Sequence, residues 1–145
     1  MPSPKVAYAK TDQEILDCFP VLKELRPNLV EDELVARVRR QEAEGFHLVY
    51  VRDQGQVKSI AGFRFQEHLA WGRIMYVDDI ATLSSERRKG YGGRLLDWLT
   101  NLARKEGCSA VHLDSGQNRY DAHRLYLNKG FILRSHHFSL DLKRQ

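Results

Sequence analysis

Cysteine is scarce in this chain, with only Cys18 and Cys108 among 145 residues, and neither stands in a CxxC or Cys/His ligand spacing. A disulfide framework and a zinc site are therefore not indicated, and both thiols are expected to be reduced. Long apolar runs are missing too. No stretch approaches the length of a membrane span, and the polar start MPSPKVAYAKTDQE lacks the apolar core of a signal peptide, so a cytoplasmic protein is expected. The six histidines form no HExxH or comparable pattern, so no metal is expected. No repeat, low-complexity tract or interdomain linker divides the chain. An apolar content of 42% beside 29% charged residues fits a folded, soluble protein, and the length sets the expectation of one domain over residues 1–145.

The pattern along the chain is mixed α/β. Val6 to Ala9 reads as an edge strand, and Thr11 with Glu14 forms a capping box that starts a helix bearing Ile15, Leu16, Phe19 and Leu22 on one face. Pro20 should bend that helix or end it early. A second helix is predicted from Glu31 to Glu44, with Leu34, Val35 and Val38 inward and Gly45 as its cap. Three antiparallel strands follow, over 47–52, 57–66 and 73–82, with a hairpin turn at Asp53 to Gln56. A long helix over 90–105 carries Leu95, Leu96, Leu99 and Leu102 at buried-face spacing and stops at Gly107. A short strand from Ala110 to Leu113, a helix from Asp121 to Lys129 and a terminal strand or strand pair from Ile132 to Leu142 complete the map.

The unit of strand, glycine-bearing loop, helix and strand over 74–114 is a crossover suited to a partly parallel sheet, with ligands at the strand's C-terminal end. Its loop spells Arg87-Arg88-Lys89-Gly90-Tyr91-Gly92-Gly93. Glycines at a helix start let backbone N–H groups approach an oxyanion closely, with the positive end of the helix dipole behind them. Arg87, Arg88, Lys89 and Arg94 would add charge-assisted hydrogen bonds. The bland alternative is a flexible loop on a solvated basic surface, in keeping with the net charge of +4. The GxxxxGK[ST] phosphate loop is absent, and so is the third glycine of the dinucleotide fingerprint.

The remaining motif, R-x-x-G-x-G at Arg87, Gly90 and Gly92, resembles the acetyl-CoA pyrophosphate loop of the GNAT family of N-acetyltransferases. Two further stretches carry the resemblance. Asp79-Ile80-Ala81-Thr82 stands where the family has a splayed strand, and Ala122 to Phe131 looks like its A-x-x-L-Y-x-x-x-G-F helix and following strand. The resemblance implies an α/β (α+β) fold with a mixed central sheet, antiparallel N-terminal strands, a splayed strand pair at the acetyl-CoA site and flanking helices. It implies direct transfer of an acetyl group from acetyl-CoA to an amine of a small molecule or protein, with no metal. Cofactor contacts would fall on Ile80, Ala81, Thr82, Arg87, Arg88, Lys89, Gly90, Tyr91, Gly92, Gly93, Arg94, Asn118 and Tyr126. Arg119 stands where the family often has asparagine, with Asn118 beside it.

Acetyl transfer needs an uncharged amine, polarisation of the thioester carbonyl and a proton for the leaving thiolate. Tyr126 is the acid candidate, against the alternative of a packing tyrosine. Asp79 is the first base candidate, followed by Asp78, His123 or a water. Adjacent strand residues point to opposite faces, so only one of the two aspartates is expected to reach the groove. Arg26, Arg64, Asp78, Asp114 and His123 are the candidate substrate contacts, with the pocket built largely from Asp12 to Glu44. A homodimer is implied by family habit alone. The competing readings are a non-catalytic acyl-CoA-binding sensor or partner module of the same fold and a nucleic-acid-binding module. The last rests only on basic charge, without a helix-turn-helix or RNP pattern.

Overall fold

A computed structural model describes residues 4–143, and the chain divides into two compact units, one up to Leu113 and one from Asp114 onward. The first unit holds strand β1 (Val6–Tyr8), helices α1 (Asp12–Asp17), α2 (Phe19–Leu25) and α3 (Glu31–Glu42), and strands β2 (His47–Asp53), β3 (Gln56–His68) and β4 (Gly72–Thr82). A single 3-10 turn over Ser84–Glu86 leads to helix α4 (Tyr91–Lys105) and strand β5 (Ala110–Leu113). Among the described residues, no helix is long and apolar enough to cross a membrane.

Local chemistry accounts for the element boundaries. The Thr11 side chain caps the Glu14 N–H while Glu14 returns a bond to the Thr11 N–H, so the capping box forms. Pro20 sits in the first turn of α2, where its missing N–H costs nothing, and the predicted single helix breaks at Cys18. Gly45 follows α3 with φ +94°. The β2–β3 turn places Gln54 at φ 52° and Gly55 at φ 75°, two left-handed residues that match strand twist in a tight hairpin.

The sheet runs β1-β2-β3-β4-β5, antiparallel except for the parallel β4–β5 pair. One face packs Leu48, Tyr50 and Ile60 against Ile15, Val21, Leu22, Leu34 and Val38 of the first three helices. The opposite face receives α4, whose Leu95, Leu96 and Leu99 are fully buried and whose Trp98 ring lies 6.1 Å from that of Phe63. Removal of these apolar side chains from water is the main favourable contribution to the fold.

Two register features shape the second half of β4. Gly62 pairs with Asp79 but Phe63 pairs with Val77, so Asp78 is an extra residue in β4, a bulge. The β4–β5 ladder covers only Ile74 to Val77, opposite Ala110 to Leu113. Beyond Val77, β4 keeps β3 on one edge and has no strand on the other among the described residues.

In the second unit, helix α5 (Tyr120–Asn128) ends at Gly130 with φ +94°. The predicted terminal strand over Ile132 to Leu142 does not form. Phe138, Leu140 and Leu142 alternate as a strand would, yet they are 84–91% exposed and no ladder among the described residues takes their backbone groups. An apolar alternation makes a strand only where a neighbouring edge accepts its hydrogen bonds.

Gly62 stands where a side chain has no room. A Cβ there would lie 2.4 Å from the Phe46 ring and 3.1 Å from an Asp79 carboxylate oxygen. Gly62→Ala should therefore destabilise the protein by about 1–3 kcal/mol, the usual range for overpacking a core. Thermal unfolding checks this, and an unchanged midpoint would mean that Phe46 moves aside freely.

Candidate functional site

The bulge decides where the two strand aspartates go. Strict alternation would send Asp78 and Asp79 to opposite faces, but the extra residue places both on the face that carries Phe46 and helix α3. Arg64, stacked 5.4 Å from the Phe46 ring centre, grips Asp78 with a fork of two bonds, Nε to Oδ1 at 3.1 Å and Nη2 to Oδ2 at 2.6 Å. Arg26, from the end of α2, donates Nε to Asp79 Oδ1 at 3.1 Å and Nη2 to the Asp78 carbonyl at 3.1 Å. The expectation that the two aspartates point to opposite faces is thus corrected, although only Asp79 lines the cleft. Asp79 Oδ2 makes no hydrogen bond among the described residues, whereas both Asp78 oxygens are held.

Asp79 forms part of a cleft of about 450 Å³ walled by α2, the segment after it and α3. Its charged lining is Arg26, Arg37 and Asp79, and Asn28 and Gln41 add neutral polar groups. Burial raises the Asp79 carboxyl above its ordinary range. Arg26, by charge and hydrogen bond, pulls it back, while Asp78 pushes it up and Arg64 pulls it down. Burial wins because it removes water from the charged form.

Past the bulge, β4 leads into the glycine loop. Ser59 Oγ donates to the Ala81 carbonyl at 2.8 Å and lies 3.0 Å from Thr82 Oγ1, which fixes the strand end. The loop is braced from below by the buried Lys58, whose ammonium bonds Glu86 Oε1 at 2.8 Å and Gln56 Oε1 at 3.0 Å. Lys89 takes the other Glu86 oxygen at 2.6 Å. Hydrogen bonds from Lys58 first and Lys89 second hold the Glu86 carboxyl below the usual carboxylate range. Arg88 at φ 65° and Gly90 at φ 87° turn the chain through the left-handed region into α4, and Tyr91 pins the helix start by donating to Asp53 Oδ2 at 2.9 Å.

The start of α4 has no side-chain cap and no acidic residue in its first turn. Its first N–H groups therefore lack partners within the helix, and the dipole favours an anion there. Arg87 and Arg88 are exposed and make no ion pair among the described residues. Arg94 is tied to the Pro4 carbonyl at 3.0 Å, so it and Lys89 already have partners. Together with the free β4 edge, this is a fit for a long ligand with a pyrophosphate at one end and an amide arm.

In the second unit, Tyr126 is buried beside Phe131, with ring centres 5.8 Å apart. Burial raises its phenol pKa, and the Arg119 charge and hydrogen bond oppose that rise. His123 Nε2 lies 2.7 Å from the Gly116 carbonyl, so that nitrogen carries a proton and only Nδ1 is left to accept one. Asp114 pairs with His137 at 3.3 Å, and Asn118 is exposed. Among the described residues, no cluster of His, Cys, Asp and Glu has the makings of a metal site.

Sequence reasoning missed Arg37, Phe46, Gly62 and the Lys58–Glu86 pair. Helical spacing was the available signal for Arg37, which lies three residues after Leu34 and four before Gln41, on the edge of the apolar stripe. No sequence signal marks the bulge.

The model of the acetyltransferase (GNAT) family matches residues 9–131. The uncharacterized N-acetyltransferase YhdJ of Bacillus subtilis is 31% identical over 128 residues, which is 87% of this chain and 90% of that protein. An aminoalkylphosphonate N-acetyltransferase of Salmonella typhimurium is 31% identical over 78 residues, 53% of this chain and 51% of its own. The crystal structure of an acetyltransferase from Trypanosoma brucei superposes with a TM-score of 0.80 at 22% identity, covering 97% of this chain and 100% of that one.

The balance at Asp79 is open to direct test. Its carboxyl should titrate above the ordinary value of about 4, and Arg26→Met should move the midpoint higher still, because the guanidinium is the largest group opposing burial. Carbon-13 NMR of the side-chain carboxyls reads both. A midpoint unchanged or lowered in the variant would show that Arg26 does not set the charge at this site.

Proposed function

This chain belongs to the GNAT acetyltransferase family and is an acetyl-CoA-dependent N-acetyltransferase, and we propose that it acetylates a small amine held in the cleft beside Asp79. We further propose that one catalytic domain spans the chain, a reading supported by a family match that runs through both compact units. The alternative of a non-catalytic acyl-CoA sensor gains no support from the relatives. A small acceptor is supported by the size of the cleft, about 450 Å³, and the Salmonella relative is named for a small amine.

The observation that carries the assignment of roles is the unequal treatment of two adjacent carboxylates. Asp78 is clamped through both oxygens by Arg64, but Asp79 lines the cleft and keeps one oxygen without a partner among the described residues. Asp79 thus receives the ammonium of the entering amine and takes its proton, leaving the nitrogen lone pair for attack. Its raised pKa improves it as an acceptor near neutral pH, since a general base works best when its pKa approaches the working pH. Asp78, His123 and water remain as weaker alternatives for the base, His123 because its Nε2 is already committed as a donor.

The backbone N–H groups of Tyr91, Gly92 and Gly93 with Arg87 and Arg88 hold the pyrophosphate of the cofactor, and the β4 edge at Ile80 to Thr82 aligns its arm. Bound acetyl-CoA supplies an activated thioester carbonyl. Tyr126 donates the proton that the departing thiolate needs, a role supported by the motif match and by a phenol that keeps its proton at neutral pH.

Gly92→Asp puts a side chain and a negative charge into the helix start. Titration calorimetry should find coenzyme A binding lost, and an unchanged affinity would place the pyrophosphate elsewhere. For the acid, Tyr126→Phe keeps the ring and removes only the hydroxyl. Single-turnover acetyl transfer should slow by roughly 10²- to 10⁴-fold with coenzyme A affinity retained. A wild-type rate at every pH would leave Tyr126 as a packing residue.

A further inference from the structure

The charges around the acceptor cleft are unbalanced in a way that the amine alone does not explain. Three charged side chains line it, Arg26, Arg37 and Asp79. Arg26 is committed to the Asp79 carboxylate at 3.0 Å and to the Asp78 carbonyl, so these two neutralise one another. Arg37 makes no ion pair or hydrogen bond among the described residues. It stands on the cleft side of α3, between Leu34 one turn before and Gln41 one turn after. Gln41 accepts from Arg64 through Oε1 at 3.4 Å, which leaves its amide N–H groups to donate, and Asn28 adds a second neutral amide.

A guanidinium that shares a cleft with neutral amide donors is suited to a planar or tetrahedral oxyanion. A polyamine or a lysine-rich peptide would meet two guanidiniums and a single carboxylate there, and would be repelled. A cleft of about 450 Å³ falls in the range that encloses a small ligand.

We propose that the acceptor is a small amine bearing an acidic group, a carboxylate or a phosphonate, and that Arg37 selects it by binding that group while Asp79 receives the amine. This rests on the reading of the cleft as the acceptor site. Arg37 acts on recognition and takes no part in proton transfer, so its loss should appear in KM far more than in kcat.

The test measures coenzyme A release from acetyl-CoA with β-alanine, 2-aminoethylphosphonate, ethanolamine, spermidine and a tripeptide with a free N-terminus. The two acidic amines should give the highest kcat/KM, and the better of them identifies carboxylate or phosphonate as the group recognised. Arg37→Gln should raise the ratio of KM for the acidic amine to KM for ethanolamine by about tenfold or more, the loss expected for a hydrogen-bonded charge pair, and Arg37→Lys should restore part of it. Arg37 is exposed, and coenzyme A affinity by calorimetry serves as the folding control for both variants. Preference for ethanolamine, spermidine or the tripeptide overturns the proposal, as does an equal rise in both KM values. If coenzyme A binds but neither acidic amine is acetylated, this inference falls while the cofactor site stands. Failure of the wild-type protein to bind coenzyme A would instead remove the site reading on which it rests.

Discussion

One extra residue in β4 governs the geometry of the cleft beside Asp79. Because Asp78 has no partner opposite it on β3, the strand bends and twists at that point, and two successive carboxylates come to the same face. Like charges so close would repel, so each is met by its own guanidinium, Arg64 for Asp78 and Arg26 for Asp79. The bend also coincides with the end of the β4–β5 ladder, and the strand edge beyond it is left for another partner. Gly62 is the complementary half of the arrangement. Only a residue without a side chain allows Phe46 and the Asp79 carboxylate to approach the β3 backbone together.

The glycine loop follows a different logic, in which its position is set by buried polar groups while exposed cations are left unpaired. Lys58 is removed from water and would be costly there without Glu86, so the pair ties the 3-10 turn to β3. Ser84 is held in turn by Glu24 of α2, through bonds of 2.8 and 3.0 Å to its N–H and hydroxyl. The turn before the glycines is thereby fixed from two sides. Arg87 and Arg88, by contrast, keep the freedom to meet an incoming anion, and no acidic residue of the first helical turn competes for them.

Much of this was legible in the sequence because it depends on local rules. Thr11 with Glu14, Gly45 after α3, the turn at Gln54 and Gly55, and the leucine spacing of α4 each follow from short-range hydrogen bonding, backbone freedom or periodicity. The glycine loop was legible for the same reason. What escaped depends on contacts between distant residues. A bulge arises from how β3 and β4 settle against each other, and Asp-Asp in a strand carries no sign of it, so the alternation rule misplaced Asp78. Phe138, Leu140 and Leu142 carry the right period for a strand, but pairing requires an edge that the sequence does not name. Arg37 looked like any other cation on a charged helix until α2 and the segment after it were folded beside it.

Asp79 unites these features under opposing demands. To take a proton from an amine near neutral pH, the carboxyl must bind protons more readily than it does in water, and burial in the cleft has that effect. Without a counter-charge, burial would raise it further still. Arg26 prevents that, yet its bond is made to one oxygen only. A guanidinium forked across both oxygens, as Arg64 is on Asp78, would engage both and leave neither oxygen unpaired for an amine. Asp79 is therefore charge-paired from one side and open from the other, and this asymmetry between neighbouring arginines sets the proposed base apart from the clamped carboxylate beside it.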